Sequence, residues 1–408
     1  MKRTLTLMCL ATVLMLVAAG CVTSGGGGQP AASEPIKIGA LVPLSGAASE
    51  GGQRMKNAFE LAAEEINNSG GVLGRQVELV FYDTEGNSEK AVAGAKRLIE
   101  QDQVWGLVGG YVSGAVLAMV DVPMENKKVF VDTVAAAPQI TGLVKDDYDK
   151  YKYLFRTGAH VTHFALNTMP FVTDITQAKT YYYIAQDALW AKALGGVFEN
   201  MLSEKGVQKV GESFVQRGTE EFASIIPDIK AKDPDVVISA LVSAEGVPFA
   251  KQYYDAQVPA PFITTAGVLT FEDAIKGMGD KGNYVNFMAW AWDVPLTSKT
   301  QPFYKKYKER YEALPSGYED VRSYDGLLVL AEGIRQANSL EPDKVVEALE
   351  KIEFEGVAGK YVFDEEHQAK QGDGYLVGVL GQWQNGQATI FYPDSVATGE
   401  FQKASWWK

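Results

Sequence analysis

The sequence predicts an α/β fold of doubly wound parallel sheets, and three observations carry that expectation. Short apolar runs of β-like composition alternate with segments whose apolar residues recur at helical spacing. The alternation starts again after Phe155-Arg156, and no charged or low-complexity linker separates the two halves. At 408 residues the chain also exceeds the roughly 250–300 residues over which one hydrophobic core keeps growing. Two similar α/β lobes in one chain imply a cleft between them, and ligands of such sheets bind beyond the carboxyl ends of the strands.

The elements follow in order. Ile36 to Val42 is a strand ended by Pro43, and Met55 to Asn67 is a helix with Met55, Ala58, Phe59, Ala62, Ala63 and Ile66 on one face. Gly70-Gly71 supplies the left-handed conformation that stops it. Val77 to Asp83 is the next strand, then a helix from Ser88 to Gln101 with Ser88 as its expected N-cap. Val104 to Gly109 and Lys128 to Asp132 are strands on either side of a helix from Gly114 to Glu125. In the second half, strands at Thr180–Ala185, Val210–Val215, Asp235–Ala240 and Pro261–Thr264 alternate with helices at Ala191–Glu204 and Ala223–Ala231. The loops after Val42, Gly109, Val131, Ala185, Ala240 and Thr264 are therefore the places to look for a site. Trp290 and Trp292 alternate as on a strand, one toward the cleft and one away.

The N-terminus has the form of an export signal. Lys2 and Arg3 precede an apolar run from Leu5 to Val17, shorter than the roughly 20 residues that span a bilayer. Val17-Ala18-Ala19-Gly20-Cys21 then resembles a bacterial lipoprotein cleavage site, with residues 1–20 removed and Cys21 lipidated. The only other cysteine, Cys9, lies in the removed segment, so no disulfide is expected in the mature domain. Residues 21–35, including Gly25 to Gly28, read as a flexible tether to a membrane.

Composition narrows the function. The net charge of −13 becomes −15 without Lys2 and Arg3, and no basic stripe exists to track a phosphate backbone, which excludes nucleic acid as a partner. Gly110 to Gly114 lacks the spacing of a nucleophile elbow, and Gly70 to Gly74 follows a helix where a dinucleotide loop would follow a strand. Of three histidines, His160 and His163 are three apart but have no third ligand in an obvious motif. No catalytic group, metal or cofactor is expected.

Several stretches then point to one family: Ile38 to Gly46, Gly70-Gly71-Val72-Leu73-Gly74, Gly109 to Ser113, Ala135 to Thr141, Phe155-Arg156-Thr157, Gly218 to Phe222, Tyr324-Asp325-Gly326 and Phe354 to Gly359. In that order they resemble the extracellular substrate-binding proteins of branched-chain amino-acid ABC transporters, with a leucine-binding-like, type I periplasmic-binding fold. The resemblance implies two Rossmann-like lobes joined by three hinge crossovers near Phe155, Asn286 and Lys360. Lobe 1 would comprise 36–156 and 286–360, and lobe 2 would comprise 157–285 and 361–408. It further implies a monomer that captures a small solute and delivers it to ABC permease and ATPase subunits at the bacterial cell envelope. A tethered sensor domain signalling to a receptor or kinase is the alternative.

The candidate ligand contacts are Ser45, Tyr111, Ser113, Ala135, Ala136, Asp187, Trp190, Glu245, Thr265 and Ala266. Ser113 matches a carboxylate-holding serine. Ala136 stands where a hydroxyl is usual, Ala266 where an acid holds the ammonium, Gly51 and Val242 where aromatics are common, and Trp190 replaces a tyrosine. A desolvated zwitterion needs partners for both charges. These replacements therefore imply a ligand without a free α-ammonium, such as an aromatic or aliphatic carboxylate or a small amide, unless Glu245, Asp132 or Asp187 restores the negative charge.

Overall fold

The computed structural model describes residues 34–372 and 374–408. The expected leader, Cys21 and the tether up to residue 33 lie outside the described residues. Strands β1 (Ile36–Val42), β2 (Val77–Asp83), β3 (Gly106–Gly109), β4 (Phe130–Asp132) and β5 (Leu154–Arg156) form a parallel sheet in the order β2-β1-β3-β4-β5. The near-continuous apolar sequence of the inner strands reflects burial on both faces: only Lys37 interrupts the buried run of β1.

The second sheet has seven strands. β6 (Thr180–Gln186), β7 (Gln208–Val215), β8 (Val236–Ala240), β9 (Phe262–Thr264) and β10 (Asn286–Ala289) pair in parallel. A small ribbon, β11 (Phe354–Glu355) with β12 (Lys360–Tyr361), stands apart. The hairpin β13 (Val379–Gln384) and β14 (Gln387–Tyr392) then extends the second sheet antiparallel, in the order β14-β13-β10-β9-β8-β6-β7. Among the described residues no helix is long and apolar enough to cross a membrane.

Three details differ from the sequence reading. The first helix runs Ser49–Asn68, six residues earlier than expected. Gly51 and Gly52 look like helix breakers, but each is required by close packing: a Cβ on Gly52 would lie 1.8 Å from the Pro43 carbonyl oxygen, and one on Gly51 would lie 2.7 Å from the Tyr111 ring. The next helix, Ser88–Glu100, is capped by Asn87, whose side chain accepts from the Lys90 N–H at 3.1 Å, and not by Ser88. Finally, residues 286–289 pair with β9 and β13, so the chain leaves the second sheet after Ala289. Residues 367–369 bond the backbone of Arg156 beside β5, so the last passage lies beyond Lys360 as well.

Trp290 and Trp292 follow β10 and do face different ways. Trp290 packs against Phe164, Tyr318 and the Arg322 guanidinium, whereas Trp292 packs against Phe287 and Trp383 in the core of the second half. Between the sheets, the helix Val161–Pro170 begins at His160, whose Nδ1 accepts from the Thr162 N–H at 3.1 Å. His163 Nδ1 accepts in turn from the His160 N–H at 3.3 Å, so both rings close a helix end.

Candidate functional site

The carboxyl ends of both sheets converge on one cavity of about 390 Å³, its mouth included. One wall comes from the first sheet: Tyr111 after β3, then Val134 and Ala136 after β4. Tyr318 and Glu319, at the start of the helix Glu319–Ala337, continue that wall. The facing wall carries Trp190, in the first turn of the helix after β6, and Arg217, Val242 and Ala266, from the loops after β7, β8 and β9. Phe164 lines the cavity from the helix between the sheets.

Most of this lining is apolar or aromatic. The Phe164 and Tyr318 rings meet edge to face at 5.3 Å between centroids, and Phe164 lies 6.0 Å from Trp190. Tyr318 spends its hydroxyl on the scaffold, donating to the Val134 carbonyl at 2.7 Å and accepting from the Ala159 N–H at 3.1 Å. Tyr111 occupies the space opened by Gly51, so the aromatic missing from the first loop is replaced by one from the third. Burial pushes the Tyr111 hydroxyl well above its ordinary range and keeps it neutral.

Two charged side chains interrupt the apolar surface. Arg217 lies with its guanidinium 6.0 Å from the Tyr111 ring centroid, and its Nη2 donates to Gln186 Oε1 at 3.5 Å. Its Nε is buried and has no hydrogen-bond partner in the protein. Glu319 is buried, and its Oε2 accepts from the Ser316 hydroxyl at 2.9 Å. Burial raises the Glu319 carboxyl to about 7, against the lowering effect of its own backbone N–H and of Ser316.

Tyr111, Ala136, Trp190 and Ala266 of the expected contacts line this cavity. Ser113 and Asp187 line an outer cavity that shares Trp190 and Arg217 with the first. There the Ser113 hydroxyl accepts from the Ala137 N–H at 3.2 Å, while Asp187 pairs with Lys192 and accepts from Gln216 at 3.1 Å. Ser45 donates to Asp83 at 2.6 Å away from the cavity. The Ala135 N–H donates to Asp132 at 3.0 Å, and the Thr265 N–H donates to the Ser239 carbonyl at 3.0 Å.

The acids named as possible replacements serve the loops instead. Asp132 accepts from the backbone of Val134 and Ala135, and burial raises it to about 7 despite Arg156 nearby. Glu245 accepts from Gln186 at 2.5 Å, the Ser243 N–H at 3.0 Å and the Gly218 N–H at 2.9 Å. The cavity nevertheless contains a carboxyl, Glu319, on the wall opposite Ala266. That carboxyl is one the sequence reading did not weigh. Arg217 and Phe164 were also missed, although extending the strand-end rule to Val215 points to Arg217.

Known proteins share this architecture. Leu/Ile/Val-binding protein homolog 7 of Brucella melitensis is 25% identical over 398 residues, 92% of this chain and 96% of that protein. The leucine binding protein of Thermotoga maritima superposes with a TM-score of 0.77 at 22% identity, covering 88% of this chain and 100% of that one. An ABC-transporter solute binding protein of R. palustris in complex with benzoate also gives 0.77, at 20% identity over 87% of this chain and 95% of that one. The family model for periplasmic binding proteins matches residues 35–387, and the chain belongs to that family.

Proposed function

We propose that this protein captures a small organic acid with an apolar or aromatic body and delivers it to an ABC importer. The observation that carries the ligand class is Arg217, the one cationic side chain lining the cavity among the described residues. Its buried, partnerless Nε–H is a donor in search of an acceptor, and a carboxylate matches a guanidinium in charge and geometry. The aromatic and aliphatic remainder of the lining suits a solute body like those of leucine or benzoate, which relatives of this fold are named for or hold. The chain would act as a monomer of two lobes, tethered to the cell envelope by lipid on Cys21, with permease and ATPase supplied by partner subunits.

Thermal unfolding after ligand-stripping and refolding, followed by calorimetry, tests this against branched-chain and aromatic amino acids, aromatic and aliphatic carboxylates, short amides and urea. At a hundred times its dissociation constant a ligand adds about 2.7 kcal/mol, enough to move the transition by several degrees. Arg217→Gln should weaken the acid that binds by roughly 10- to 100-fold, the value of a charge-assisted hydrogen bond. Stabilisation by amides alone, or unchanged acid binding in Arg217→Gln, would refute the ligand class. Mass spectrometry of the mature N-terminus tests the lipid on Cys21.

A further inference from the structure

Glu319 is a costly residue in an otherwise apolar cavity. It is buried, and among the described residues no basic side chain forms an ion pair with it, whereas its neighbour Asp320 has Arg54 at 3.9 Å. The Ser316 hydroxyl donates to Oε2, and the residue's own backbone N–H also meets the carboxyl. A carboxylate accepts through both oxygens and has about four acceptor positions to satisfy. Tyr318 does not take up that capacity, since its hydroxyl is committed to Val134 and Ala159. Glu319 and Arg217 also stand on opposite walls, one beside the first sheet and one after β7 of the second.

We propose that Glu319 is the specificity-determining residue of the cavity, accepting from an ammonium or hydroxyl group on a solute whose carboxylate is held by Arg217. This deepens the organic-acid reading and rests on it. The solute is then bifunctional: an acid with a hydrogen-donating group that reaches the other wall. An acid lacking that donor leaves the remaining acceptor capacity of the buried Glu319 unmet, and a site built around such a group discriminates strongly against the analogue that cannot satisfy it. The rise of the carboxyl to about 7 fits a buried group whose desolvation outweighs the attraction of Arg54.

The test uses matched pairs of acids on purified protein: leucine with 4-methylpentanoate, phenylalanine with 3-phenylpropanoate, and 4-hydroxybenzoate with benzoate. The expected result is that the donor-bearing member of at least one pair binds roughly 10- to 100-fold more tightly. The amino pairs and the hydroxyl pair show which donor is read. Glu319→Gln should bring the two members within about threefold of each other, and Glu319→Leu, which has no acceptor, should do the same or favour the simpler acid. Circular dichroism confirms that each variant is folded. Equal binding within every pair, or an equal loss of both members in Glu319→Gln, overturns the assignment while leaving the Arg217 reading intact. Unchanged binding of both members in Arg217→Gln overturns the underlying reading instead.

Discussion

Asp273→Asn should loosen a contact that joins the two halves of the molecule. Arg54, on the first helix, reaches Asp273 in the segment between β9 and β10 at 2.7 Å. Its guanidinium lies 3.9 Å from the Phe271 ring centroid, and its Nη1 donates to the Leu314 carbonyl at 3.1 Å. The Arg54 side chain is only 8% exposed, but that of Asp273 is 65% exposed, so solvent screens much of the pair. Removing one charge at such a site costs about 0.5–1 kcal/mol. Where the pair forms only when the halves are together, that is a roughly two- to fivefold shift in the ratio of closed to open molecules. Its visible effect depends on which form dominates without solute. A mostly open protein loses solute affinity by that factor. A mostly closed protein keeps its affinity but gains open molecules, read as a larger radius of gyration in small-angle scattering. Unchanged affinity together with an unchanged radius would refute the reasoning.

Three further outcomes are expected. Burial raises Glu319 from 4.5 to about 7, so its protonated form contributes stability that is complete below about pH 4.5 and is lost as pH rises through about 7. Asp320, Arg54 and Tyr111 are the charged or titratable groups around it, and all remain in Glu319→Gln. Denaturant titrations of the two proteins at pH 4.5 and 8 should therefore diverge by up to about 3 kcal/mol, with the variant gaining relative stability at the higher pH, whereas parallel profiles would contradict the shift. Ala266→Leu adds carbons at a buried position on the cavity wall, so solute binding should fall at least about tenfold in calorimetry and stability by about 1–3 kcal/mol. Gly267→Ala should lower both stability, by more than about 2 kcal/mol, and solute affinity. The Gly267 φ is +82°, and a Cβ there would stand 2.1 Å from the Val242 carbonyl oxygen, displacing the loop that carries Ala266; an unchanged melting temperature would count against this.

The strands were legible because parallel strands buried on both faces read as unbroken apolar runs, as in β1 and β8. The start of the first helix was not, because Gly51 and Gly52 are placed by contacts with Pro43 and Tyr111 that no local pattern reveals. Tyr111, Ala136, Trp190 and Ala266 could be found by following each strand to its carboxyl end. Glu319 could not, since it opens a helix with no strand of either sheet immediately before it. Asp132 and Glu245 drew attention as acids near strand ends, yet each accepts from backbone N–H groups two or three residues away in its own loop. That short-range geometry is a common use of an acid in a turn, and neither carboxylate lines the cavity.

The placement of the two lining charges connects recognition with closure. A solute shifts a conformational equilibrium only by the difference between its interactions in the two forms. Arg54 and Asp273 hold the halves together in part from within the protein itself. An acid that reached Arg217 alone would touch one wall strongly and add little to that contact. An acid that also met Glu319 would tie the loop after β7 to the start of the helix Glu319–Ala337, on opposite sides of the cavity. Closure then depends on the same donor group that distinguishes one acid from another. Glu319→Gln should accordingly reduce solute-induced compaction in small-angle scattering even at saturating solute, and full compaction of that variant would separate closure from recognition.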